Sequence, residues 1–146
     1  MLLESVRDTS LSRRSVCLGL GLLALGAAPP ARTGSYMARA WLLIGESSRA
    51  SEFLGKHVRD RELARLIAQA SEGRLQAATD TNVPREVQVA HPHLLLMLEH
   101  YERAAAAAAA GSPGRFAQHA SAARDEEQIF RSVLSQLGWP LPAGRP

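Results

Sequence analysis

Cysteine is almost absent from this chain: of 146 residues only Cys17 carries a thiol, and it sits in an apolar stretch near the N-terminus. A single thiol closes no disulfide within the chain, so a domain built from the rest must be held together by packing alone. Period-two alternation of apolar and polar residues is missing from 36 to 139, which argues against a sheet-built domain. A concentrated stripe of Lys and Arg is missing too. From Arg32 onward 14 basic residues face 12 acidic ones, a near balance that argues against nucleic acid, whose phosphates need clustered positive charge. There is no Gly-rich phosphate loop, no nucleophile elbow and no His-Glu-x-x-His, so none of the common catalytic motifs is present. The longest apolar stretch, Val16 to Ala28, has 13 residues, too short for a stable membrane span of about 20.

What is present begins with the leader. Residues 12 to 18 read Ser-Arg-Arg-Ser-Val-Cys-Leu and resemble the twin-arginine signal family, whose pattern is Ser-Arg-Arg, any residue, then two apolar residues. Ser12, Arg13, Arg14 and Val16 fit it; Cys17 and Leu18 depart from the family's usual Leu and Lys. The resemblance implies a cleavable signal over residues 1–31, export of an already folded protein through the twin-arginine translocase, and a periplasmic or other extracytoplasmic address for the rest. Family members often acquire a cofactor or partner before export. Small residues around Ala24-Leu25-Gly26, with Pro29 and Pro30 obstructing a later cut, place cleavage between Gly26 and Ala31. Cys17 precedes the apolar stretch, and Arg14-Ser15-Val16 is a poor lipobox, so a lipid anchor is not expected.

The remaining residues, 32–146, are enough for one core. Ala, Leu, Glu, Arg and Gln dominate them, which is helix composition. The spacing predicts helices over about 36–54, with Gly55 as a stop, 60–80, capped by Asp60, 92–110, ending at Gly111, and 113–137, ending at Gly138. The predicted inward stripes are Met37, Trp41, Ile44, Ser48 and Ser51 in the first helix; Leu63, Ile67, Ala70 and Ala77 in the second; and Phe116, Ala120, Ala123, Phe130, Leu134 and Leu137 in the fourth. Pro84 and Pro92 make 80–91 mostly loop, and 139–146 reads as a loose tail. Four such helices joined mainly by tight turns predict an all-α, up-down-up-down four-helix bundle about 30 Å long.

Two features of the third helix stand out. The seven alanines Ala104 to Ala110 either let helix axes approach closely or merely reflect helix-forming bias. Leu94 to Leu98 is apolar all round, so part of that girth needs a cover: first the 80–91 loop, then a second copy or another protein partner, or a ligand.

The polar candidates are five histidines, His57, His91, His93, His100 and His119. None has a carboxylate three residues before it, as a ferritin-like di-iron site requires, and no Cys-x-x-Cys-His attaches a haem. A haem between Met37 and His119 fails because the two lie about 27 Å apart along an antiparallel bundle. His93, Met97 and His100 share one face, and counting from the turn at Gly111 brings Ala123 to Glu127 level with His100, with Ser47, Ser48 and Ser51 at a similar height. His93, Met97, His100 and Glu127 therefore form an N, S, N, O set that copper, zinc or iron would accept. The favoured reading is plainer: Met97 fills the core, His100 bonds Glu127 or Ser48, His93 sits at an exposed helix start and no cofactor is held. His91-Pro92-His93 is a weaker metal clamp, with capping as the simpler role for His91. A His100–Glu127 acid–base pair is the enzymatic alternative. The sequence thus favours an exported, non-catalytic accessory or interaction protein, with a metal- or cofactor-binding bundle as the alternative.

Overall fold

The computed structural model describes residues 29–144, and the leader up to residue 28, with Arg13 and Arg14, lies outside them. Within that range the chain is helical, with no strand: α1 (Pro29–Lys56), α2 (Arg61–Thr79), a 3-10 turn (Arg85–Val87), α3 (His91–Ala109) and α4 (Pro113–Gln136). Each helix returns alongside the previous one, giving the expected four-helix bundle. The arrangement is not a square. α3 packs extensively on both α4 and α2, and α1 lies on α3 and α2 while touching α4 least. None of the described helices is long and apolar enough to cross a membrane.

The helix ends follow local chemistry closely. Asp60 Oδ1 accepts the Leu63 amide at 3.0 Å, the N-cap of α2. Gly111 and Gly138 adopt φ of 78° and 83°, the left-handed conformation that closes a helix. At the first, Ser112 and Gly111 amides donate to Ala107 and Ala108 carbonyls; at the second, Trp139 and Gly138 amides donate to Leu134 and Ser135 carbonyls. Both pairs are the reciprocal bonds of a Schellman turn.

α1 departs from expectation at both ends. It begins at Pro29, because two prolines with no amide hydrogen to satisfy are tolerated in a first turn. It runs through Gly55 to Lys56, since that glycine is not among the left-handed glycines of the described residues, Gly111, Gly138 and Gly144. The α2 face is also turned by about one position from the predicted stripe. Ala64, Ser71 and Ala78 are buried, Leu63 and Ile67 are half-buried, and Ala70 and Ala77 face solvent. Small residues at the contact let α2 sit close on α3, with the bulky ones flanking it.

The core has two parts. One contains Ile44, Leu94, Met97, Leu98, Phe130 and Leu134; the other contains Leu54, Ala64, Ala104, Ala105, Ala108 and Phe116. Between them lie the buried Ser47, Ser48 and Ser71, and Glu127 is buried within the stretch of α4 that serves the first part. The loop after α2 folds back over the first part: Val87 and Ala90 are fully buried with Leu94 and Leu98, and Val83 packs beside them. The loop therefore supplies cover for the apolar girth of α3, leaving Leu95 half-buried and Leu96 exposed. The segment after Gly138 is docked rather than loose. Trp139 and Leu141 pack on the same core, and Arg131 donates to the carbonyls of Pro142 at 3.3 Å and Gly144 at 3.4 Å.

Candidate functional site

Two polar groupings emerge, one along the α3/α4 seam and one at the loop end of the bundle. Along the seam, His93 Nδ1 lies 2.8 Å from Glu126 Oε2, and the rings of His100 and His119 stack with centroids 5.9 Å apart. His100 lies seven residues beyond His93 on α3, and His119 seven before Glu126 on the antiparallel α4. Both pairs therefore occupy one groove, two turns apart. This register places His119, rather than the Ala123–Glu127 turn, beside His100.

The predicted set of four is accordingly distributed among different neighbours. Met97 is fully buried and fills core. Glu127 belongs to the inward stripe of α4 at 8% exposure, but its Oε1 accepts Arg131 Nε at 2.9 Å. His100 Nδ1 is buried without a hydrogen-bond partner, as is Ser47 Oγ, so neither the His100–Glu127 nor the His100–Ser48 bond satisfies that nitrogen. His93 is neither free nor fully exposed, because α4 brings Glu126 to it. Among the described residues no group of three or more His, Cys, Asp or Glu is arranged to hold a metal ion. His57 stands apart at the other end of the bundle, against the Phe53 ring at 4.7 Å.

Arg131 has consequences beyond Glu127. Its guanidinium lies 5.3 Å from the Trp41 ring centroid while also holding the tail carbonyls. One side chain thus joins α4 to α1 and to the tail by charge-assisted bonds and a cation–π contact.

At the loop end, Tyr36 and His91 make the second grouping. His91 is the first residue of α3, not its cap: Ala90 holds that position, with no side-chain cap bond. Instead the Tyr36 hydroxyl lies 3.0 Å from His91 Nδ1. Burial pushes the Tyr36 phenol well above its ordinary range and holds His91 below its ordinary value. Both shifts favour neutral partners, so the phenol donates and the unprotonated Nδ1 accepts.

Above this pair opens a cleft of about 810 Å³, lined by Arg32, Ser35, Tyr36, Arg39 from α1 and by 81–86 from the loop. Arg39 Nη1 donates to the Thr81 hydroxyl at 3.4 Å, which itself donates to the Ala77 carbonyl at 2.7 Å. The Thr33 hydroxyl donates to Glu86 at 3.5 Å. Sequence reasoning did not find this grouping. Arg32, Ser35, Tyr36 and Arg39 have the spacing of one helical face, but only the fold brings the loop after α2 across it. Compared with protein-family models, curated proteins and solved structures, the chain matches none.

Proposed function

We propose that this chain is an extracytoplasmic accessory or binding protein, exported folded through the twin-arginine translocase and acting through its surface. The observation that carries this reading is how the carboxylates nearest the bundle interior are engaged. Glu126 is engaged by His93 and Glu127 by Arg131, so each of the carboxylates nearest the bundle interior already has a partner in the same chain. Catalysis would need one of them released from its partner and presented to a substrate. The cover that the 83–90 segment gives Leu94 and Leu98 favours a partner surface elsewhere than that girth.

Export and role are tested separately. Replacing both leader arginines, Arg13→Lys with Arg14→Lys, is expected to leave the protein in the cytoplasmic fraction; equal export of that variant would remove the translocase. For the role, protein recovered from the exported fraction is expected to carry transition metal well below one equivalent by elemental analysis.

One observation favours a second reading, a metal-binding bundle drawing on His93, Met97, His100 and Glu127: the buried, unpartnered His100 Nδ1 beside the His119 ring. Stoichiometric copper, zinc or iron in the exported protein, lost in His100→Ala, would replace the accessory reading with this one.

A further inference from the structure

Three arginines line the cleft at the loop end of the bundle. Arg32 and Arg39 stand seven residues apart on α1, so they share a face with Ser35 and Tyr36 between them. The 3-10 turn adds Arg85 from the opposite wall. Three arginines outside the cleft have carboxylate partners: Arg49 with Glu46, Arg103 with Glu99 and Arg131 with Glu127. Among the described residues none of the ion pairs includes Arg32, Arg39 or Arg85, and the cleft contains a single carboxylate, Glu86. That carboxylate is turned to the Thr33 hydroxyl.

We propose that this cleft binds a small oxyanion carrying two or more negative charges, a phosphate or a polycarboxylate. Three guanidinium groups on a concave surface raise the local concentration of anions, and their planar forks match oxygen pairs better than single-point ions. The Ser35 hydroxyl and the Asn82 amide line the same space, adding neutral donors. The floor is already built. Tyr36 is 3% exposed and fixed by His91, so neither group brings a negative charge that would repel the ligand. Arg39 is tethered by Thr81, which reduces the side-chain freedom lost on binding. All three arginines are exposed to solvent, so salt competes directly with the ligand. The proposal gives the binding role a ligand class, yet it requires neither export nor a metal-free protein, so the two fail separately.

Calorimetric titration of the purified protein at low ionic strength tests it, with inorganic phosphate and citrate as probes and acetate as the singly charged control. Saturable binding of phosphate, citrate or both is expected, weakening as sodium chloride is added; which probe binds distinguishes the two sources of the charge. Arg39→Gln and Arg85→Gln should each raise Kd by about tenfold, the loss of one charge-assisted contact. Arg115→Gln, at the opposite end of the bundle, should not. Because these side chains are exposed, the variants should keep the wild-type helical circular dichroism. Absence of binding by both polyanions overturns the proposal. So does acetate binding equal to theirs, or affinity unchanged in the Arg39→Gln, Arg85→Gln double variant.

Discussion

Tyr36 and His91 each lie far from the other in sequence, and each is changed by the contact. Because burial holds His91 below its ordinary value, the unfolded chain binds that proton more readily than the folded one. The contribution of His91 to stability is therefore complete above its unfolded value of 6.5 and is lost as pH falls from there toward the lower folded value. Urea denaturation should show the stability difference between wild type and His91→Gln shrinking between pH 7.5 and pH 5 as ordinary assay conditions; a difference that grows on acidification would refute the sign. Tyr36→Phe deletes one partner and leaves Nδ1 partly buried, costing about 1 kcal/mol at neutral pH. Arg131 invites a larger loss. Removing it leaves the Glu127 carboxylate, at 11% side-chain exposure, without its cation and frees Trp41 and the tail carbonyls. Arg131→Ala is expected to cost about 2–3 kcal/mol, whereas exposed Arg124→Ala should fall within about 0.5 kcal/mol of wild type. The same urea curves decide this. Neither Tyr36–His91 nor Arg131–Trp41 was legible in the sequence, because local periodicity carries no information about which residues of distant helices meet.

At the scale of the element, termini were the most legible features. Asp60, Gly111 and Gly138 act through bonds to residues within a turn, so their roles are written locally. Faces were less legible where small residues carry them. Ala64, Ser71 and Ala78 look no more inward on α2 than Ala70 and Ala77 do; closeness to α3 selects them. The alanine run illustrates the same selection, since Ala104, Ala105 and Ala108 are buried to 1% or less while Ala106 and Ala110 are exposed. Ala108→Leu should overpack the contact and lower stability by about 1–3 kcal/mol. Ala106→Leu, one turn's half away on solvent, should change it by no more than about 0.5 kcal/mol. Equal thermal denaturation midpoints for the two would show that the axes do not approach there. Extension of α1 to Pro29 lies beyond the expected start because residues 29–31 read as the end of the leader, although a first turn accommodates both prolines.

For the molecule as a whole, the long loop and the tail are parts of the core rather than appendages. Ending the chain after Gly138 removes Trp139 and Leu141 from the first core cluster and two carbonyls from Arg131. That truncation should lower the urea midpoint measurably while leaving helical circular dichroism below the transition intact; an unchanged midpoint would mean that the docked tail contributes nothing. Composition and period determined the all-α class, the four helices and most of the stops, because these depend on interactions within a few residues; that Glu127 and not Glu126 lies on the inward face of α4, and that Leu137 does not, was left to the packing. They determined too that His93 and His100 share a face. Tertiary structure alone decided what meets that face. The tight α3/α4 turn sets a register in which Glu126 reaches His93 and His119 reaches His100, and Glu127 turns along its own helix to Arg131. It also drew the loop after α2 over α1, assembling Arg32, Arg39 and Arg85 around one cleft. Register and loop closure depend on how whole helices pack, and small residues at α2, α3 and α4 set that packing without advertising it in their order.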